Sequence, residues 1–323
     1  MFGQPRVVVL DPIPDWSFEP ERAALARFGV ELVVPGSTGE ADEAIRDADV
    51  VVVTGVRRLE AGAIAGLRRA AGILCYSIGL DKVEAGAAAE AGIEVRNIPD
   101  YCTDEVSDHA IALLLASERR LQPITRAMGD GWRFVERAAL APIRRIRGQT
   151  LGILGAGRIG RMVARKARGL GFTTIAHDPV VAVTADPDLE LVDLDGLLAR
   201  SDALILCAAL TPGSRRVIGR EALANVRTGM ILVNVARGGL IDERALAEAL
   251  ADGRVGYAAL DVRDAEPPDP ANDPLSGLPN VLQTPHVAGT SREAIDDLHR
   301  IAAETIVEML EAAGRISDER MGA

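Results

Sequence analysis

The sequence predicts an α/β protein of two domains, each built on a parallel β-sheet, and three observations lead to this prediction. The chain has 323 residues, more than one ordinary domain holds. Short runs of β-branched residues alternate with helical stretches, which is typical of βαβ units. A second series of such runs begins near residue 150. We place one discontinuous domain at 1–103 and 287–323, with a second domain, 104–286, inserted into it.

The first hundred residues contain a series of predicted strands separated by alanine-rich helical segments such as 20–28 and 60–69. The strands are expected at 6–10, 31–34, 50–54, 72–78 and 93–96. Near the end of the sequence, 291–313 carries apolar residues at helical spacing. We expect this last helix to pack on the first domain.

The second domain is expected to begin with a long helix, 104–120, that is buried and crosses between the domains. Asp104 suits its first turn, and 110–116 is apolar on every side. The following segment, 121–148, is rich in arginine and lacks a clean period. We interpret it as an excursion from the core and as a candidate oligomer contact.

Six further strands are predicted from residue 150 onwards, which is the strand count of a complete dinucleotide-binding fold. They are expected near 150–154, 173–177, 203–207, 230–235, 256–261 and 281–284. The connection at 264–280 is rich in turn-forming residues and is too long for a tight loop. A long ordered loop at this place suggests a functional role.

Composition disfavours several classes of function. The chain has 36 basic and 47 acidic residues, a net charge of −11 and only 3% aromatic residues, which disfavours nucleic-acid binding. Its longest apolar stretches fall short of the roughly 18 residues that a membrane helix needs. Cys75, Cys102 and Cys207 lie far apart, so we expect buried thiols in a reducing compartment and no metal site. Because no export leader is visible, we expect a cytoplasmic protein.

The clearest motif is Gly155-Ala-Gly-Arg-Ile-Gly160, a G-x-G-x-x-G sequence between a predicted strand and a predicted helix. Gly155 permits the tight turn, Gly157 lets a pyrophosphate approach the backbone, and Gly160 permits close packing of helix and strand. The phosphates would then lie at the positive N-terminus of the helix. The inserted domain is therefore predicted to be a Rossmann-like nucleotide-binding domain, and the outer domain a Rossmann-like substrate and catalytic domain.

Asp178 indicates which dinucleotide is bound. It follows the second predicted strand of this domain, 18 residues beyond Gly160, where a carboxylate binds the ribose hydroxyls of NAD. The same charge repels the 2′-phosphate of NADP, and no arginine follows immediately. NAD is therefore the predicted cofactor.

Hydride transfer to a carbonyl needs a proton donor that works near neutral pH, and histidine is the usual one. The chain has four histidines. His109 is expected in a buried helix, His299 on the polar side of the last helix, and His177 inside a strand. His286 differs because it comes just after the last predicted strand, and strand ends line the cleft of an open α/β sheet. His286 is therefore the candidate acid–base residue.

Two other strand ends supply partners for this histidine. Arg237 follows one strand, and an arginine fork can bind a carboxylate and polarise a carbonyl. Glu266 follows another strand, and a carboxylate beside a histidine favours the protonated imidazole. Together the three residues predict hydride transfer between NAD(H) and a small 2-hydroxy or 2-oxo acid.

Several segments of the sequence resemble the D-isomer-specific 2-hydroxyacid dehydrogenases, and within them the subgroup similar to C-terminal-binding protein. The resemblance covers nearly the whole chain. It is carried by Ser77-Ile-Gly-Leu-Asp-Lys-Val83, Gly92-Ile-Glu-Val-Arg-Asn-Ile-Pro99, Asp104-Glu-Val-Ser-Asp-His109, Arg147-Gly-Gln-Thr-Leu-Gly-Ile-Leu-Gly-Ala-Gly-Arg-Ile-Gly160, Ala236-Arg-Gly-Gly239, Asp264-Ala-Glu-Pro-Pro268 and Thr284-Pro-His286.

The resemblance implies a role for each matching residue. Arg237 would bind the substrate carboxylate and carbonyl, His286 would act as general acid–base, and Glu266 would orient and charge it. The implied substrate contacts, which include backbone N–H groups in the 77–79 turn, are Ser77, Ile78, Gly79, Arg237 and His286. The implied cofactor contacts are Gly155, Gly157, Arg158, Ile159, Gly160, Asp178, Ala208, Val235, Ala236, Arg237, Asp261, His286 and Gly289. A homodimer formed through the nucleotide-binding domain is also implied.

The sequence departs from the family pattern at some positions and leaves two alternatives open. Many family members carry an arginine where this chain has Thr54, and here Arg57 and Arg58 follow, so the size of the substrate stays open. The subgroup commonly has tryptophan at the position of Gly289, and formate dehydrogenases have glutamine at that of Glu266. The alternatives are an NAD-sensing, corepressor-like interaction protein and a phosphite-type dehydrogenase.

Overall fold

The computed structural model describes residues 4–14, 16–129, 131–132, 134, 136, 143–183 and 186–317. The chain divides into two compact units, one of 1–101 with 291–323 and one of 102–290. The predicted domain limits lie within four residues of these. Part of the predicted 121–148 excursion falls outside the described residues.

The first unit contains a parallel sheet of five strands. They are β1 (Arg6–Val9), β2 (Glu31–Val33), β3 (Val50–Val53), β4 (Gly72–Cys75) and β5 (Glu94–Asn97). Their order is β2-β1-β3-β4-β5. The strands β3 and β4 are buried along their whole length, as expected for a parallel sheet with both faces covered. All five predicted strands are present, but the predicted 72–78 strand ends at Cys75, where the chain turns.

Short helices connect these strands. They are α1 (Glu19–Ala26), α2 (Thr38–Ala44), α3 (Ala61–Ile64) and α4 (Ala85–Glu90). The predicted 60–69 helix is limited to α3, since Gly66 follows almost directly and glycine is a poor helix former.

The second unit is centred on a parallel sheet of seven strands. They are β6 (Thr150–Leu154), β7 (Thr173–His177), β8 (Glu190–Leu191), β9 (Ala203–Leu206), β10 (Met230–Asn234), β11 (Val255–Leu260) and β12 (Val281–Gln283). Their order is β12-β11-β10-β9-β6-β7-β8. The chain order changes direction between β6 and β9, because β7 and β8 follow β6 on one side and β10, β11 and β12 follow β9 on the other. Ligands of open α/β sheets bind outside the carboxyl ends of the strands at such a reversal. The six predicted strands are all present, and β8 is an additional strand of two residues.

The helices of the second unit flank this sheet. They are α5 (Thr103–Glu118), α6 (Leu121–Met128), α7 (Arg158–Gly169), α8 (Leu194–Arg200), α9 (Arg220–Ala224) and α10 (Glu243–Ala251). The long buried helix predicted at 104–120 is α5, which packs on α7, β10 and β11. Its burial is partial, because Ala110 and Leu114 are fully buried whereas Ala112 is exposed.

The last helix, α11 (Arg292–Ala312), packs into the core of the first unit, as predicted. Ser291 caps it by accepting a hydrogen bond from Ala294 N–H at 2.8 Å. The expectation that His299 lies on the polar side is wrong. His299 is 6% exposed, and its Nδ1 lies 2.5 Å from Oε1 of Glu21, which is fully buried on α1.

Two further properties bear on the predicted class of protein. None of the described helices is long and apolar enough to cross a lipid bilayer. Cys75 and Cys102 are buried and Cys207 is half-buried, and all three are free thiols.

Candidate active site

In the turn after β6, other backbone atoms lie close to Gly155 and Gly160, as the glycine motif predicts. Gly155 has a φ of +100°, and a Cβ added there would lie 2.7 Å from the backbone nitrogen of Ala208, which follows β9. A Cβ added at Gly160 would lie 1.9 Å from the carbonyl oxygen of Gly155. At Gly157, by contrast, nothing lies within 4 Å of the Cβ position. The backbone at the N-terminus of α7 is therefore open on the side where a pyrophosphate would bind.

Asp178 ties this turn to the end of β7. Its Oδ2 accepts the N–H of Ala156 at 2.8 Å, and its Oδ1 accepts those of Val180 at 2.9 Å and Val181 at 3.2 Å. Burial raises the pKa of the carboxyl group, but these three hydrogen bonds outweigh burial and hold the pKa below its ordinary value. The carboxylate is therefore ionised at neutral pH, as binding of an unphosphorylated ribose requires.

His286 and Glu266 form a pair at the ends of β12 and β11. His286 Nδ1 lies 2.8 Å from Glu266 Oε2, and half of the histidine side chain is exposed. Because Nδ1 faces the carboxylate, Nε2 is the ring atom left to serve a substrate. His286 has a φ of +54°, in the left-handed region that non-glycine residues rarely adopt. Such backbone strain is concentrated at functional sites.

Asp261 organises the turn that carries His286. Its side chain is 1% exposed, and its oxygens accept hydrogen bonds from Thr284 Oγ1 at 2.5 Å, Val287 N–H at 3.0 Å and Ala288 N–H at 2.9 Å. His109 Nε2 lies 3.0 Å from Thr284 Oγ1 on the other side. The carboxylate thus faces inward, and its predicted contact with NAD stays a prediction.

Arg263 anchors the 264–280 loop, and no motif in the sequence singles it out. The side chain is 7% exposed. It donates to Glu243 at 2.9 and 3.0 Å, to Asp273 at 2.6 Å and to Gln283 at 2.6 Å. Its backbone N–H donates to Glu266 Oε1 at 2.9 Å. Both oxygens of Glu266 are therefore engaged, one by the loop and one by the histidine.

Arg237 follows β10, the strand next to β11. The fully buried Asn234 shapes the backbone there, because its Oδ1 accepts Ala236 N–H at 3.0 Å and its Nδ2 donates to Arg237 O at 2.9 Å. A Cβ added at Gly238 would lie 1.9 Å from the carbonyl carbon of Arg263. The arginine turn therefore packs directly on the segment that carries Glu266.

The other predicted cofactor residues lie at the same edge of the seven-stranded sheet, since the carboxyl ends of parallel strands meet there. Arg158 and Ile159 begin α7, Ala208 follows β9, Val235 and Ala236 follow β10, and Gly289 follows the His286 turn. Their contacts with NAD stay predictions. Within the described ranges, no group of three or more histidine, cysteine or acidic side chains could hold a metal ion.

The predicted carboxylate-binding turn, 77–79, lies in the first unit, directly beyond β4. Ser77 Oγ donates to Gly79 O at 2.7 Å, and Asn97 Nδ2 donates to Ile78 O at 2.6 Å. Neither Ile78 N–H nor Gly79 N–H has an acceptor among the residues that the structure describes. The turn is thus held through its carbonyl groups, and its binding of a substrate carboxylate stays a prediction.

A family model described as the NAD-binding domain of D-isomer-specific 2-hydroxyacid dehydrogenases matches residues 111–288. The chain belongs to this family. The match lies within the second unit and includes the glycine turn, Asp178 and all three residues of the predicted catalytic group. NAD is therefore the cofactor that this chain binds. The nearer resemblance to the C-terminal-binding-protein subgroup stays a prediction.

Individual relatives agree with this assignment. A hydroxypyruvate reductase of Thermotoga maritima is 36% identical over 314 residues, which are 96% of this chain and 98% of the relative. A D-3-phosphoglycerate dehydrogenase of Archaeoglobus fulgidus is 36% identical over 310 residues, which are 94% of this chain. The match spans only 57% of that longer relative. A crystal structure of a Thermus thermophilus protein superimposes with a TM-score of 0.83 at 33% identity, covering 95% of this chain and 97% of that chain.

Proposed function

We propose that this protein is an NAD-dependent dehydrogenase that interconverts a small 2-oxo acid and the corresponding D-2-hydroxy acid. The observation that carries the proposal is the 2.8 Å contact between His286 Nδ1 and Glu266 Oε2, at the same sheet edge as the glycine turn. A carboxylate at this distance stabilises the imidazolium and orients the ring, so that Nε2 can give or take a proton near neutral pH.

The substrate carboxylate is bound by Arg237. The guanidinium also polarises the carbonyl at C2, which makes that carbon electrophilic. When bound, NADH supplies the hydride that forms the new C–H bond at C2. His286 Nε2 donates its proton to the carbonyl oxygen, which becomes the hydroxyl group. In the reverse direction, neutral His286 takes the proton from that hydroxyl, while Glu266 stabilises the charge that develops on the ring.

The cofactor is held by the residues at the reversal of strand order. Gly157 and the first N–H groups of α7 would hold the pyrophosphate, since a helix N-terminus favours negative charge. Asp178 binds the ribose hydroxyls and, being ionised, disfavours a 2′-phosphate. Ala208, Val235 and Asp261 are among the further predicted contacts, and each directly follows a strand or lies two residues beyond one at the same sheet edge.

A cytoplasmic homodimer completes the proposal. The described apolar side chains within 121–148 include Leu121, which is 54% exposed, and Trp132, which is 85% exposed. We propose that they form part of the dimer interface, since exposed apolar patches mark such interfaces. We propose neither nucleic acid nor a membrane as a partner, since the chain is strongly acidic.

The test is a panel of 2-oxo acids offered with NADH, including glyoxylate, pyruvate, hydroxypyruvate and longer homologues. We expect loss of NADH absorbance with at least one short member, and a product of D configuration by chiral chromatography. Phosphite with NAD serves as the comparison for the phosphite-type alternative. Tight NADH binding without turnover of any member would contradict the proposal and favour the NAD-sensing interaction protein.

A further inference from the structure

A second histidine, His109, contacts the His286 turn, which we define as residues 284–288. The side chain of His109 extends from α5 and is 23% exposed. Its Nε2 lies 3.0 Å from Thr284 Oγ1 and 3.4 Å from Asp261 Oδ1. All of these residues belong to the second unit. Proton transfer by His286 makes no use of His109, so this contact points to another role.

The positions of the hydrogens in this cluster follow from its acceptors. Asp261 accepts the N–H groups of Val287 and Ala288, one with each carboxylate oxygen, at 3.0 and 2.9 Å. Because a carboxylate only accepts, the 2.5 Å contact between Thr284 Oγ1 and Asp261 Oδ1 contains the hydroxyl hydrogen. A hydroxyl group has one hydrogen, so Thr284 Oγ1 accepts at its other contact. The His109 Nε2 is therefore the donor, as it can be in one neutral tautomer and in the imidazolium.

These bonds hold the backbone of His286 from both sides. Its N–H donates to the carbonyl oxygens of Asp261 at 2.8 Å and Thr284 at 3.1 Å, and the Asp261 carboxylate holds the two residues that follow. The φ of His286, +54°, is one that a non-glycine residue keeps only when its surroundings enforce it. His109 contributes to this enforcement from a helix that lies 175 residues before Thr284 in the chain.

We infer that His109 is a positioning residue for the His286 turn, in which its Nε2–H directs the hydroxyl of Thr284 towards Asp261. This inference rests on the proposed function and adds a residue to its machinery. His109 is assigned no proton transfer to the substrate. Its role is to keep the turn, and with it the imidazole of His286, in the geometry that the reaction needs. A displacement of about 1 Å at a reacting group can cost about 100-fold in rate, so the loss of one supporting bond should cost about 10-fold.

The experiment compares three replacements of His109 by kcat for 2-oxo acid reduction. His109→Gln can place an amide N–H near the position of the imidazole Nε2, whereas the side chain of His109→Asn is too short to do so. His109→Leu keeps the bulk and has no donor. We expect the leucine and asparagine variants to lose about 10-fold in kcat, and the glutamine variant to stay within about 3-fold of wild type. The KM for NADH should change by less than about 2-fold in all three, because the glycine turn and Asp178 are untouched.

A double variant shows whether His109 acts through Thr284. Thr284→Val removes the hydroxyl group, keeps the shape of the side chain and should lower kcat by about 10-fold. If His109 acts through that hydroxyl, His109→Leu combined with Thr284→Val is no slower than Thr284→Val alone. Two independent effects would instead multiply, to a loss of about 100-fold.

Ser107→Ala is the matched control on the same helix. Ser107 is buried and accepts a hydrogen bond from Lys166 of α7 at 2.8 Å, so its loss loosens α5 without removing a contact to the His286 turn. Its kcat should stay within about 2-fold of wild type. NADH fluorescence and the midpoint of thermal unfolding establish that each variant is folded. If His109→Leu does not fold, the glutamine and asparagine variants carry the comparison.

The inference is overturned if His109→Gln loses as much kcat as His109→Asn, if His109→Asn keeps the wild-type kcat, or if the effects at His109 and Thr284 multiply. Each of these results leaves the proposed dehydrogenase activity intact. Absence of turnover by the wild-type protein with every 2-oxo acid refutes the activity itself and the inference with it.

Discussion

Replacing Arg263 by methionine should cost the second unit both stability and activity. The guanidinium is surrounded by Glu243, Asp273 and Gln283, and methionine keeps the apolar stem but removes every one of these hydrogen bonds. Glu243 and Asp273 are 17% and 10% exposed, so both would be left as poorly solvated charges. Removing one partner of a buried ion pair typically costs about 3–5 kcal/mol. Because both carboxylates keep some contact with solvent, we expect about 3 kcal/mol.

The effect on activity follows from the backbone of the same residue, which holds Glu266 Oε1 at 2.9 Å. When the loop loosens, Glu266 no longer keeps His286 in place, and small misplacements of a catalytic group cost about 100-fold in rate. We therefore expect kcat to fall by about 10- to 100-fold, while the KM for NADH changes by less than about 2-fold. Calorimetry measures the stability, and NADH absorbance measures the rate.

Arg220→Met is the control, since Arg220 pairs with Glu248 on the surface and is 68% exposed. It should change the free energy of unfolding by less than about 1 kcal/mol and leave kcat unaltered. Equal losses in the two variants, or an unchanged unfolding transition in Arg263→Met, would refute the role assigned to Arg263.

The same variant has a predictable pH dependence. The hydrogen bond from Arg263 lowers the pKa of Asp273, although burial partly opposes it. A carboxyl group whose pKa is lower in the folded state adds stability above its unfolded pKa of about 3.9, and this is lost as the pH falls through the folded value. The difference in unfolding midpoint between wild type and Arg263→Met should therefore shrink in acid. A constant difference would contradict this explanation.

Three further variants test the cofactor and acid–base residues. Asp178→Ala should raise the KM for NADH by about 10-fold and weaken the preference for NADH over NADPH, measured by steady-state kinetics; an unchanged preference would be evidence against it. Gly160→Ala should abolish NADH binding, measured by fluorescence, because the new methyl group would lie 1.9 Å from the carbonyl oxygen of Gly155. The control Gly169→Ala, on the same helix, should bind NADH normally, because nothing lies within 4 Å of its new methyl group. Glu266→Gln should lower kcat by about 10- to 100-fold, because the neutral amide no longer balances the charge on the ring in the transition state; an unchanged kcat would count against an orienting carboxylate.

The regular elements could be predicted because their signals are local. Runs of β-branched residues predicted both parallel sheets, and the spacing of apolar residues predicted α11. The exceptions are features that depend on contacts between segments distant in the sequence. β8 has two residues, too few for a period to be detected. The apolar run at 110–116 could not reveal that α5 lies on one face of the sheet and leaves Ala112 exposed.

In the site, motif and spacing predict the glycine turn, Asp178, Arg237, Glu266 and His286, whose roles stay predictions. The residues that hold them depend on partners distant in sequence. Arg263 interacts with groups 10 to 20 residues away on both sides. His299 is buried because Glu21 faces it from 278 residues away, which no helical period can indicate.

The proposed chemistry depends most directly on His286, and His286→Ala is its most direct test. The alanine variant should still bind NADH with the affinity of the wild type, because the glycine turn and Asp178 are untouched. Its kcat for 2-oxo acid reduction should fall by at least about 100-fold, the usual contribution of a general acid. A variant that binds NADH and keeps the wild-type kcat would contradict proton transfer by His286.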